Sequence, residues 1–129
     1  GKAKVESEKF LIENKTKPGV ITTASGLQYK VITMGTGKKP KATNEVKVHY
    51  RGTLVDGTEF DNSHKRGEPV TLPVSGVIPA WTEALQLMPV SSKWMLYVPA
   101  QLGYGDRPAG QIPPGSVLIF EVELLAIQK

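Results

Sequence analysis

The chain has 129 residues and a formal charge of +4; 40% of the residues are apolar and 22% are charged. This length and composition suit one soluble domain with a single core. The sequence contains no cysteine, which excludes disulfides, thiolate catalysis and zinc-finger sites. Basic residues are scattered apart from Lys38, Lys39 and Lys41, which we interpret as a solvated loop, so a nucleic-acid partner is not expected.

The first segment lacks glycine and proline from Lys4 to Lys17, which predicts a helix ending at Pro18-Gly19. Its apolar residues form only a thin stripe: Val5, Phe10, Leu11 and Ile12. Such a stripe is too weak to anchor an isolated helix of this length. We interpret residues 1–20 as the end of a longer connecting helix and linker, and a frayed extension is the open alternative.

Short alternating runs then predict strands near residues 27–33, 45–54, 70–74, 93–98 and 117–127. Asp56-Gly57 is a hairpin signal after the second of these runs. Pro73 interrupts the third run, which predicts an edge strand or a bend. No window approaches ~18 consecutive apolar residues, so no membrane span is expected.

One internal helix is predicted from Pro79 to Leu87, where Trp81, Leu85 and Met88 share a face at helical spacing. A sheet of four or five strands must cover its apolar face, and this helix is the only candidate. Residues 21–129 are therefore predicted to form one α+β domain, a twisted antiparallel sheet wrapped around one short helix.

The sequence shows no pattern of ordinary catalytic chemistry. His49 and His64 are the only histidines, and each is isolated along the chain, so neither a metal centre nor a triad is expected. The loop Gly35-Thr36-Gly37-Lys38 lacks the spacing of a phosphate-binding loop. We therefore expect no metal, no cofactor and no nucleophile.

Aromatic and branched apolar residues gather instead near glycine and proline breaks. They are Tyr50, Phe60, Trp81, Tyr104 and Phe120, together with Val77, Ile78 and Ile112. Any one of them could be a core residue, but together they exceed what the predicted core needs. These residues together predict a concave apolar pocket with few polar groups, the usual geometry for binding a small ligand.

The order of these motifs resembles the FKBP family of prolyl isomerases. The matching segments span roughly residues 26–129: Val48-His49-Tyr50-Arg51-Gly52, Leu54 to Ser63, Gly67-Glu68-Pro69, Gly76 to Trp81, Gly103-Tyr104-Gly105, Ile112-Pro113-Pro114 and Leu118 to Leu125. Each segment alone is weak, whereas seven in the family's order are specific. The resemblance implies a peptidyl-prolyl cis/trans isomerase that acts on proline-containing polypeptides and binds macrolides such as rapamycin.

The resemblance also implies roles for individual residues. Trp81 would form the pocket floor, and the walls would be Tyr50, Phe60, Val77, Ile78 and Phe120. Tyr104 and the Ile78 N–H would hold substrate carbonyls, Asp61 would lie at the pocket edge, and Ile112 would lie on an overhanging loop. Val70 stands where many relatives have Phe, which would open one wall.

The front of the chain, from Phe10 to Tyr29, resembles the junction in bacterial macrophage infectivity potentiator proteins. That likeness implies a dimeric parent exported to the periplasm or outer surface of a Gram-negative bacterium, a cytoplasmic location being the less favoured reading. This chain alone would be monomeric. Two alternatives stay open: a proline-peptide binding module, and a periplasmic chaperone whose isomerase activity is incidental.

Overall fold

A computed structural model describes residues 2–55, 57–103, 112 and 115–128. It contains two α-helices, α1 (Lys2–Asn14) and α2 (Pro79–Leu87). The strands are β1 (Val20–Thr22), β2 (Gln28–Thr33), β3 (Glu45–Leu54), β4 (Glu59–Asn62), β5 (Val70–Pro73), β6 (Lys93–Val98) and β7 (Leu118–Ile127). Short 3₁₀ turns lie at Ser63–Arg66, Val74–Gly76 and Ala100–Leu102.

All pairings among these strands are antiparallel, in the order β1-β2-β6-β7-β3-β4, and β5 also pairs with β3. The sheet thus has more strands than the four or five expected, because β1 and β4 are too short to show a clear alternation. β5 ends at Pro73 and pairs only with β3, as the interrupting proline predicted. The hairpin between β3 and β4 forms, although Asp56 itself is outside the described residues.

The helix α2 has the bounds predicted from the sequence and covers the inner face of the sheet. Pro79 occupies its first turn, where a missing N–H costs no hydrogen bond. Trp81, Leu85 and Met88 are at most 5% exposed and pack against alternate residues of the sheet. Among these are Leu96 on β6 and Phe120 on β7, as the period-two patterns predicted. The architecture is therefore the expected α+β sheet around one helix.

The helix α1 differs from expectation because it is docked on the domain by polar side chains. It ends at Asn14, several residues before Pro18. The Ser7 hydroxyl accepts a hydrogen bond from the Val117 N–H at 2.8 Å, and the buried Asn14 amide donates to Gln28 Oε1 at 2.8 Å. The apolar stripe considered in the sequence includes Val5 and Ile12, which are 67% and 61% exposed. In this structure residues Lys2–Asn14 are helical and hydrogen-bonded to the sheet region, at Val117 and Gln28. Neither helix is long and apolar enough to span a bilayer within the described part of the chain.

Candidate active site

Four aromatic side chains meet at the junction of β3, β4, β7 and α2, and we call Tyr50, Phe60, Trp81 and Phe120 the aromatic cluster. The Trp81 ring meets Tyr50 edge-on at a centroid distance of 5.0 Å and Phe120 at 5.1 Å. Phe60 meets Phe120 edge-on at 5.6 Å. Edge-to-face contacts of this kind are favourable and fix the rings relative to one another. Trp81 and Phe120 are buried, whereas Tyr50 and Phe60 are half-buried.

A β-bulge places Phe60 in this cluster. Gly52 pairs with Asp61 and Thr53 pairs with Glu59, so Phe60 is the extra residue on β4. A bulge lets two consecutive side chains lie near the same site, since it breaks the alternation of the strand. Gly52 provides the space: a Cβ there would be 2.7 Å from the Phe60 ring and 2.9 Å from the Phe120 ring.

Asp61 lies at the edge of the cluster and is held by two donors. Its Oδ2 accepts a hydrogen bond from the Tyr50 hydroxyl. Its Oδ1 accepts from the Asn62 N–H at 2.9 Å. The carboxylate therefore fixes the Tyr50 phenol, whose ring forms one side of the aromatic cluster.

Val77 and Ile78 precede α2 in extended conformation and pack against the core. The Ile78 carbonyl accepts from the N–H groups of Trp81 and Thr82, at 3.0 and 3.2 Å. Within the described residues, no hydrogen bond of the Ile78 N–H is found. This donor lies three residues before Trp81 along the chain.

The remaining predicted site residues lie in different surroundings. Val70 is half-buried at the start of β5 and pairs with Val48, two positions before Tyr50 on β3. Ile112 is only 6% exposed and packs within the core. Tyr104 lies outside the described residues, so its predicted hydrogen bond to substrate stays a prediction.

Contacts on the outer side of β3 are not evident from the sequence. His49 and His64 are not isolated: their rings stack with centroids 4.2 Å apart and planes 12° apart. Between them and the aromatic cluster lies Ser63, which is fully buried and hydrogen-bonded to both His49 and the Tyr50 backbone. The separation of 14 residues along the chain between His49 and Ser63 hides this contact from pattern analysis.

The charged groups near the site form ion pairs on the surface. Glu59, adjacent to Phe60, pairs with Arg51 and Lys65 at 2.8 Å each. The hydrogen bond from Arg51, followed by that from Lys65, lowers the pKa of Glu59 from 4.5 to about 2. Among the described residues no group of three histidine or acidic side chains could hold a metal ion. The cluster thus combines four apolar rings with one carboxylate–phenol pair, Asp61 and Tyr50.

Two family models match the sequence of this chain. Residues 36–125 match the model of the FKBP-type peptidyl-prolyl cis-trans isomerase, and residues 1–31 match a domain amino-terminal to that isomerase. The chain belongs to the FKBP-type peptidyl-prolyl cis-trans isomerase family.

Particular relatives are bacterial. An FKBP-type isomerase FkpA of Aeromonas hydrophila is 59% identical over 124 residues, covering 96% of this chain and 46% of the relative. The outer membrane protein MIP of Legionella longbeachae is 52% identical, covering 98% of this chain and 54% of the relative. The chain therefore spans about half the length of these curated relatives.

Solved structures of bacterial relatives have the same fold as this chain. The crystal structure of FkpA from Escherichia coli has a TM-score of 0.94 and 41% identity, covering 98% of this chain and 59% of that one. A peptidyl-prolyl isomerase from Pseudomonas syringae has a TM-score of 0.92 and 40% identity, covering 99% of this chain and 95% of that one. These likenesses extend over α1 as well as the sheet.

Proposed function

We propose that this chain accelerates cis/trans rotation about X-Pro bonds in polypeptides, with the proline ring seated over Trp81. The observation that carries the proposal is the edge-on packing of Tyr50 and Phe120 around the Trp81 indole. This packing makes a rigid apolar floor with a wall on each side. Membership of the isomerase family supports the same reaction.

The mechanism needs no covalent chemistry. Resonance keeps the X-Pro amide planar, and rotation faces a barrier of ~18–20 kcal/mol. In the twisted transition state the nitrogen becomes pyramidal and the amide loses part of its polarity. An apolar pocket disfavours the polar planar amide relative to this less polar state, and that difference accelerates rotation.

Two donors complete the site in this proposal. The Ile78 N–H holds one substrate carbonyl and the Tyr104 hydroxyl holds another, so that only one side of the bond rotates. Asp61 acts indirectly, because its carboxylate already accepts the Tyr50 hydroxyl and the Asn62 N–H. A rate gain of ~10⁴ requires about 5.5 kcal/mol, which desolvation and these positioned bonds together can supply.

The test is cis-to-trans isomerisation of tetrapeptides that carry Phe-Pro, Leu-Pro or Glu-Pro. Uncatalysed exchange takes tens to hundreds of seconds, so acceleration is directly visible. We expect turnover that is faster with Phe or Leu before proline than with Glu, since the surrounding surface is apolar. Faster turnover of the Glu peptide would contradict the assigned pocket. Binding without acceleration would make the domain a proline-peptide binding module.

Macrolide binding is part of the proposal, and rapamycin is the probe. The aromatic cluster supports it, whereas Val70 leaves more space beside β3 than a phenylalanine would. We expect rapamycin to inhibit turnover and Val70→Phe to tighten its binding. Turnover that is insensitive to saturating rapamycin would contradict macrolide binding at this site and leave the isomerase assignment unchanged.

The location and assembly of the longer protein are also proposals. A Gram-negative periplasm or outer surface is supported by the name of the Legionella longbeachae outer membrane protein MIP. Cell fractionation tests the location. We propose that residues before α1 dimerise the longer protein while this chain alone is a monomer. Sedimentation of both lengths tests the assembly, and a dimer of the short chain would contradict it.

A further inference from the structure

Ser63 is a fully buried polar residue that contacts the backbone of a residue in the aromatic cluster. Its hydroxyl oxygen accepts a hydrogen bond from the Tyr50 N–H at 2.8 Å. The same hydroxyl lies 3.2 Å from the Tyr50 carbonyl oxygen, to which it can donate. His49 Nδ1 is 2.8 Å from the hydroxyl on the other side.

The position of Ser63 along the sheet explains these bonds. β4 ends at Asn62, which pairs with Arg51 on β3, so Ser63 comes next opposite Tyr50. There the chain turns into a 3₁₀ helix, and the Asn62 side chain accepts from the His64 N–H at 2.9 Å. The backbone of β4 therefore cannot continue its hydrogen-bond ladder with β3 beyond Asn62. The Ser63 hydroxyl replaces it and satisfies both polar groups of the Tyr50 backbone.

The position of Tyr50 depends on these hydrogen bonds from its backbone to the Ser63 hydroxyl. Its ring contacts Trp81 and Phe120 edge-on, and its hydroxyl donates to Asp61. A small shift of its Cα therefore moves a wall of the pocket and the phenol–carboxylate pair together. On the outer side, His49 is hydrogen-bonded to Ser63 and its ring stacks on that of His64.

We propose that Ser63 is a positioning residue for prolyl isomerisation, acting through the Tyr50 backbone without touching substrate. The proposal rests on the proposed isomerase function. Geometric errors of about 1 Å at an active site can reduce rates by ~100-fold. Since Tyr50 is one wall among several, we expect Ser63→Ala to reduce kcat/KM by about ten-fold at a temperature where the variant is folded.

Ser92 provides a matched control. It is also a fully buried serine, and its hydroxyl accepts a hydrogen bond from the Gly35 N–H at 2.8 Å. Ser92→Ala thus also removes a buried hydroxyl that accepts from a backbone N–H, at a site where the partner, Gly35, lies against Val90 and Ser91. We expect both variants to lose stability and only Ser63→Ala to lose kcat/KM per folded molecule. Equal kcat/KM in the two variants would overturn the proposal.

A double-mutant cycle with Tyr50→Phe separates positioning from general destabilisation. Independent effects multiply, whereas residues that act through one another are non-additive. Because Tyr50→Phe removes the hydroxyl that is held against Asp61, we expect the loss caused by Ser63→Ala to fall from about ten-fold to about three-fold in that background. The same factor in both backgrounds would show a merely structural role and would overturn the proposal.

Two further measurements keep the inference distinct from the proposed function. Should Ser63→Ala fail to fold, Ser63→Cys keeps the side-chain shape with a somewhat larger and more weakly hydrogen-bonding group, and the same cycle is measured on it. Should the wild-type chain not accelerate isomerisation, the proposed function fails. The double-mutant cycle is then carried out on tetrapeptide affinity, which is measured by NMR titration of the Trp81 indole N–H signal. Additive effects of the two substitutions on the binding free energy would then reject the role of Ser63 as well.

Discussion

Gly52 lies directly against the ring of Phe60, and a Cβ at this position would be 2.7 Å from the Phe60 Cζ atom. That distance is too short for two non-bonded carbon atoms, and the Phe120 ring would also be only 2.9 Å away. The bulge that brings Phe60 over the strand therefore requires a residue without a side chain at Gly52.

Gly52→Ala is expected to displace the Phe60 and Phe120 rings. Overpacking of this kind costs about 1–3 kcal/mol of folding free energy, and we expect kcat/KM to fall by about ten-fold. Turnover and urea unfolding check both effects. Gly37→Ala is the control, because its Cβ would be 2.6 Å from Val90, outside the aromatic cluster. Full activity in Gly52→Ala would show that the ring positions do not limit turnover.

Asp61 is expected to act as an acceptor for Tyr50, and two substitutions separate this role from a use of its charge. Asp61→Asn retains one acceptor and can still bond to the Tyr50 hydroxyl, so at least about a third of kcat/KM should remain. Asp61→Leu leaves the Tyr50 hydroxyl and the Asn62 N–H without this partner, and should cost about ten-fold or more. Equal losses in the two variants would indicate that the carboxylate charge itself is needed.

Much of the sheet and α2 could be predicted because each has one buried face. The alternation from Lys93 to Val98 and the spacing of Trp81 and Leu85 follow from burial against the same core. The aromatic cluster could be predicted because large apolar residues near glycine and proline positions outnumber those that the core needs. The family resemblance then assigned the individual roles.

The features that could not be predicted depend on polar or irregular contacts between distant parts of the chain. α1 docks through Ser7 and Asn14, and hydrophobic periodicity does not register polar side chains. The bulge at Phe60 depends on register, which a single strand sequence does not specify. Ser63 resembles any turn serine until β3 is placed beside it.

Docking of α1 is expected to depend on the hydroxyl of Ser7. Ser7→Ala leaves the N–H of Val117, which is 1% exposed, without its acceptor at 2.8 Å. An unsatisfied buried donor costs about 1–3 kcal/mol, so we expect a lower urea midpoint and faster hydrogen exchange of the Val117 amide. Thr16→Ala is the control, because its hydroxyl donates to the Glu13 carbonyl in an exposed turn. Unchanged exchange at Val117 would show that the bond does not hold the helix.

Glu59 is expected to make stability depend on pH through its pairs with Arg51 and Lys65. Its folded pKa is lowered from 4.5 to about 2, chiefly by the Arg51 hydrogen bond, so folding favours the ionised form. Its contribution is therefore fully present above about pH 4.5 and is lost as the pH falls towards 2. The effect should be small, because Arg51 and Lys65 are 49% and 73% exposed.

Comparison of the wild-type chain with Glu59→Gln by urea unfolding checks this prediction. The difference in unfolding free energy should be present at pH 7 and shrink steadily between pH 4.5 and pH 2.5, about the span set by the lowered pKa. At pH 7 it should also weaken in 1 M salt, since the Debye length falls to about 3 Å. A difference that is constant with pH would instead arise from the neutral hydrogen bonds or packing of the side chain, and the ion pairs would then contribute nothing to folding.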